Sequence, residues 1–132
     1  MRTAPELQLL AIAAVIGLLQ LLWATVEANL QRRDLSWGLG PRDEPRPLSG
    51  RAARLARALS NFLETFPLFA ALVVAAYLAA RLGPLTLWGS ALYVAARALY
   101  APLYAFGVPV LRSLVWMVSL AGILMIAAAM VL

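Results

Sequence analysis

Apolar residues run along this chain in four long blocks separated by short polar punctuation. About twenty apolar residues in a helix, rising 1.5 Å each, cross roughly 30 Å of hydrocarbon. Four segments meet that length, at about residues 7–26, 61–80, 85–106 and 110–132. The second carries an amphipathic, arginine-rich extension towards its N-terminus, so its whole helix is predicted over 52–81. Gly83-Pro84 parts the second and third spans, and Gly107-Val108-Pro109 parts the third and fourth. Glycine just past a helix end and proline just inside a helix start are the expected punctuation. The one long connection, 28–50, is polar and holds Gly38, Gly40, Pro41, Pro45, Pro47 and Gly50, a loop too short to be a domain. The pattern predicts an all-α integral membrane protein, a single four-transmembrane-helix bundle over 1–132.

Composition strengthens that reading. The chain is 64% hydrophobic and 13% charged, with a mean hydropathy of +0.85. A soluble domain is nearer half apolar and a quarter charged, and one small core could not hide this much apolar surface. The first span is expected to be retained rather than cleaved as a signal peptide, because its run is long, has no clean small-x-small site and is followed by Glu27.

Cys and His are both absent. That removes disulfides, thiolate metal sites, a cysteine nucleophile and a histidine base from consideration. All eleven basic residues are arginine, and seven of them (Arg32, Arg33, Arg42, Arg46, Arg51, Arg54 and Arg57) face only three acids (Asp34, Asp43 and Glu44) between 32 and 57. An isoelectric point of 10.8 invites a nucleic-acid reading. A basic membrane loop on the cytoplasmic side explains it better, so no nucleic-acid partner is expected. Four spans then put Arg112 on that same side and both termini on the other.

The polar residues inside the spans fall into stripes. Arg54, Arg57, Asn61 and Glu64 step by three, four and three along one helical face. Arg97, Tyr100 and Tyr104 stand at i, i+3 and i+7 on the antiparallel third span, with Tyr93 one turn deeper. Glu64 is expected about 5 Å below the interface, and Arg97 about 13 Å below Phe106. A charge that deep needs a partner. Glu64 is the acid expected to reach Arg97. Arg112 opens span four at this end, and Glu27, Asn29, Arg32 and Arg33 close span one there. The opposite half shows mainly Tyr77, Thr86 and Ser119. A water-accessible pocket is predicted at the cytoplasmic end, while Gln20 is expected to form a helix–helix hydrogen bond.

Each feature also has a structural explanation. Arg54 and Arg57 suit positive-inside anchors, Tyr100 and Tyr104 an aromatic belt, and a Glu64–Arg97 pair a helix lock. Pro67 and Pro102 suit kinks that free the carbonyls of Leu63 and Ala98. Their convergence from all four spans on one face favours a site.

The string Arg57-x-x-x-Asn61-x-x-Glu64-x-Phe66-Pro67-Leu68-Phe69 resembles the second-helix signature of the MAPEG family, the membrane-associated proteins in eicosanoid and glutathione metabolism. Arg97-x-x-Tyr100-x-x-x-Tyr104, followed by Arg112, resembles the third-helix signature and the arginine that opens the fourth helix. The resemblance spans the whole chain and looks like that of a bacterial-type member. The spacing from Tyr104 to Arg112 is one residue longer than in the leukotriene-synthase-like members. Ser60 stands where some relatives have arginine, and Asn29, Arg32 and Arg33 compete for the place of the arginine that ends span one.

The resemblance implies a homotrimer with glutathione as cosubstrate, bound between subunits near the cytoplasmic face. It implies Asn61 and Glu64 at the γ-glutamyl amine. Arg54, as the next cation of the stripe, joins Arg57, Arg97, Tyr100 and Tyr104 at glutathione's carboxylates and backbone, and Arg112 would stabilise the thiolate. A thiol cosubstrate suits a chain with no Cys or His nucleophile, because an adjacent arginine raises the thiolate fraction. The function implied is a glutathione-dependent transferase or peroxidase. It would act on a hydrophobic electrophile or lipid hydroperoxide drawn from the membrane lipids. The alternative is a non-catalytic lipid-binding or scaffold member. A four-span drug/proton antiporter fits less well, since the first span has no acid at its middle. A bacterial inner membrane is the expected location, or the endoplasmic reticulum in a eukaryote.

Overall fold

The computed structural model describes residues 3–33, 38–41, 43 and 46–132. Asp34, Arg42, Glu44 and Pro45 of the predicted loop lie outside the described residues. Among these residues four long helices follow in chain order: α1 (Pro5–Arg32), α2 (Gly50–Leu78), α3 (Pro84–Ala105) and α4 (Pro109–Val131). Prolines open α1, α3 and α4, where a missing N–H costs nothing.

α1, α2 and α4 are long and apolar enough to cross a membrane. α3, at 22 residues, matches them in length but is less apolar. Its polar positions are Thr86, Ser90, Tyr93, Arg97, Tyr100 and Tyr104. It can carry them because it packs against each of the other three, most closely against α4. Ten of its 22 residues are buried, against four of 28 in α1, whose apolar side chains face outwards.

The closest packing is between α3 and α4. A Cβ on Gly122 would lie 2.5 Å from the Gly89 carbonyl oxygen and 2.9 Å from the Tyr93 nitrogen. Small residues at such a crossing let two backbones touch, which is how helices associate where lipid removes the hydrophobic drive. The main core joins Ala13, Phe69, Val73, Tyr93, Val94, Ile123 and Ile126. Phe69 stacks on Tyr93 at 4.1 Å, and the Tyr93 hydroxyl lies 3.0 Å from Thr65 Oγ1. Tyr93 is thus fully buried core rather than a deeper continuation of the site stripe.

Two helix C-termini differ most from the sequence expectation. α1 continues to Arg32, so Glu27 and Asn29 are helical and the loop is shorter than 28–50. α2 stops at Leu78, ahead of Gly83-Pro84. Ala80 takes the left-handed conformation (φ 56°), with Arg81 N–H donating to Ala76 O and Ala80 N–H to Tyr77 O. That is the hydrogen-bond pattern of a glycine-type helix end built on an alanine. The loop is closed by paired bonds, Gln31 Nε2 to Ser49 O (2.9 Å) and Ser49 N to Gln31 Oε1 (2.8 Å).

Candidate functional site

At the end of the bundle where α2 begins and α3 ends, Asn61, Tyr100, Tyr104, Arg112, Ser113 and Trp116 line a cavity of about 210 Å³. α2 supplies Asn61, α3 the tyrosines and α4 the rest. The tyrosines come from successive turns of α3 and meet edge to face at 5.6 Å. The Arg112 guanidinium lies over the Tyr104 ring at 4.3 Å, so the longer spacing between them does not part them. Arg57 Nε donates to the Tyr104 hydroxyl at 3.1 Å. Tyr104 is therefore gripped from α2 at its hydroxyl and from α4 at its ring face.

Arg97 lies behind this wall. It is 1% exposed, with its guanidinium 4.3 Å from the Tyr100 ring and 5.6 Å from Phe62. Nη1 donates to Asn61 Oδ1 at 2.9 Å. Among the described residues, Nε and Nη2 are buried with no hydrogen-bond partner. The expected Glu64–Arg97 pair is not formed. Glu64 is exposed on the outer face of α2, and among the described residues it has no ion pair. The rotation of α2 explains this: Asn61 turns towards α3, and Glu64, three residues on, is carried to the rim. Aromatic faces give Arg97 the negative potential that a carboxylate was expected to give.

The Asn61 contact also fixes what that side chain can offer. With Oδ1 turned to a cation, its NH₂ group remains as a donor for the cavity. Arg54, half-buried, points Nε at the backbone carbonyl of Ala105 (2.9 Å). Of the predicted residues, Asn61, Tyr100, Tyr104 and Arg112 share the cavity. Arg54 and Arg57 brace it, Arg97 supports it from inside, and Glu64 stands outside it.

Sequence reasoning missed Ser113 and Trp116. Trp116 follows Arg112 by one turn and Ser113 is its neighbour, so helical spacing from Arg112 was the available signal. The Trp116 indole nitrogen is buried without an acceptor among the described residues. Gln20, expected to bridge helices, is 3% exposed, and among the described residues neither of its amide atoms has a partner.

Glu6 was missed as well. It is 4% exposed at the opposite end, where Thr86 Oγ1 donates to its Oε1 at 2.8 Å. The same hydroxyl accepts the Gly83 N–H at 2.8 Å. A separate apolar groove of about 230 Å³ lies between α1 and α2, lined by residues that include Gly17, Leu21, Phe62 and Phe66.

The profile of the MAPEG family matches residues 9–132, nearly the whole chain. No curated protein matches the chain, and no solved structure does. A match of that extent, on a four-helix bundle with helices apolar enough to span a membrane, settles the family: the chain belongs to the MAPEG family.

Proposed function

We propose that the protein is a glutathione-dependent membrane transferase or peroxidase. It would act on a hydrophobic electrophile or lipid hydroperoxide, and work as a homotrimer. The observation that carries this reading is the position of Arg112, whose guanidinium stacks on Tyr104 in the cavity wall. A fixed cation beside a thiol lowers its pKa and raises the thiolate fraction at neutral pH. Glutathione supplies the thiol, and the chain, lacking Cys and His, needs no nucleophile of its own.

The residues present fit that ligand. Glutathione has two carboxylates, one ammonium and one thiol. The cavity and its rim offer Arg57 and Arg112, the Asn61 NH₂ and the tyrosine hydroxyls for its oxygens and sulfur. Glu64 remains for the ammonium. Because Asn61 Oδ1 is taken by Arg97, Asn61 suits a carbonyl or carboxylate oxygen, and the amine falls to Glu64 alone.

Glu64 also supports the trimer. A carboxylate on the outer face of a membrane helix costs about 2.5–3.5 kcal/mol at the helix centre, less near the interface, unless something covers it. A neighbouring copy would cover it and close the cavity.

The test is the thermal midpoint of the detergent-solubilised protein with and without millimolar glutathione. A clear rise, together with a thiolate absorbance on binding, is the expected result. An intact trimer that glutathione does not stabilise would overturn the reading. Stabilisation by lipid alone would then point to a non-catalytic lipid-binding member, which the apolar α1–α2 groove suits.

A further inference from the structure

A helix leaves its last four carbonyls without partners in its own ladder, and a buried one must be satisfied from elsewhere. At the end of α3 the supply can be followed carbonyl by carbonyl. Phe106 N–H donates to Pro102 O (3.0 Å), Val108 N–H to Leu103 O (3.0 Å) and Gly107 N–H to Tyr104 O (3.1 Å). Gly107 is left-handed (φ 73°), as this type of helix end requires. Ala105 O is left over. Pro109, four residues on, has no N–H to give. The donor comes from another helix: Arg54 Nε, at 2.9 Å. Arg54 also packs under the turn, 3.7 Å from where a Gly107 Cβ would lie.

We propose that Arg54 is a positioning residue and does not grip a glutathione carboxylate. It clasps the end of α3 to α2 and so sets Arg112 against Tyr104. Tyr104 precedes the clasped carbonyl, and Arg112 lies in the first turn after Pro109. The 4.3 Å stack between them spans the turn that Arg54 holds. A shift of that turn moves the cation relative to the wall it helps form. This rests on the glutathione reading above, but the clasp itself can be measured without ligand.

The atom that makes the bond suggests the test. Glutamine places its amide nitrogen as many bonds from Cα as arginine places Nε. Arg54→Gln therefore keeps the donor and removes the charge, and Arg54→Met removes both. The first measurement is amide hydrogen exchange over residues 106–112 in the full protein. Arg54→Met is expected to speed exchange there about tenfold or more, with Arg54→Gln close to wild type. Unchanged exchange in Arg54→Met overturns the clasp, whether or not glutathione binds.

The second measurement is the pH midpoint of bound glutathione thiolate, read by ultraviolet absorbance, alongside the affinity for S-methylglutathione. Arg54→Met is expected to raise the midpoint by about one pH unit while S-methylglutathione affinity stays within about twofold. Arg54→Gln is expected to match wild type in both. A loss of about tenfold in affinity for both ligands in both variants, with the midpoint unmoved, would show a cation grip and overturn the proposal. If Arg54→Met does not fold, Arg54→Gln decides alone: wild-type values support the clasp, and the tenfold loss overturns it. A wild-type protein that binds no glutathione defeats the glutathione reading and leaves the exchange result to judge the clasp.

Discussion

Glu6 and Arg97 are both charged residues almost wholly buried among apolar helices, at 4% and 1% exposure, yet their surroundings are opposite. Glu6 takes a hydrogen bond from Thr86, which in turn caps the first turn of α3 through Gly83. The groups there satisfy one another, and they tie α1 to α3. Among the described residues Arg97 has a single hydrogen bond, to Asn61, and Nε and Nη2 have none. The rings of Tyr100 and Phe62 hold it instead. Ring faces place a guanidinium without using its neighbours' hydrogen-bonding groups. The result is an Asn61 whose NH₂ is left to the cavity. One end of the bundle uses its polar residues to close, and the other uses them to stay open.

Four variants test that contrast. The largest effect is expected from Arg112→Ala. If the proposed glutathione reading holds, losing this cation should cost about 10²–10³-fold in turnover, with glutathione binding retained in the same titration. An unchanged turnover would place the thiolate elsewhere in the cavity. Next is Asn61→Ala, which removes the one hydrogen bond that the described residues give the Arg97 guanidinium. It should destabilise by about 2–3 kcal/mol, seen as a lower thermal midpoint in detergent. If stability is unchanged, the rings alone suffice to hold the cation.

Glu6→Leu should cost only about 1 kcal/mol, because the Thr86 hydroxyl can turn to Gly83 O at 2.9 Å. Turnover per folded protein, on the proposed reading, should not move, and a drop would mean that the two ends are coupled. The smallest effect belongs to Ala80→Gly. Its left-handed backbone is costly for alanine and free for glycine, so the change should stabilise by about 1 kcal/mol or less. A lower midpoint would mean that unfolded-chain entropy outweighs the strain.

Much of the site was legible because it repeats a helical period. Asn61, Tyr100, Tyr104 and Arg112 could be grouped by spacing and by depth along antiparallel spans, and the cavity brings these four together. Other parts obey no such rule. The acceptor for Arg54 is a backbone carbonyl, which no side-chain pattern announces. Ala80 occupies a helix end that composition assigns to Gly83. Glu6 reads as an interfacial acid at a helix start, and only the approach of α3 buries it. Glu64 and Asn61 sit on one stripe, but a small rotation of α2 decides which of them meets Arg97.

The sequence by itself determined the solvent, the number of long helices and the end of the bundle at which polar chemistry gathers. These follow from apolar length and helical period, both properties of the chain read one residue at a time. Only the tertiary structure decided the partners: Arg97 with Asn61 and two rings, Arg54 with Ala105, Glu6 with Thr86, and Glu64 left on the outer face. The physical reason is that a hydrogen bond works over about 3 Å and within a narrow angle. Which group meets which therefore depends on helix rotation and close packing, as at Gly89 and Gly122, and those are set by all four helices together.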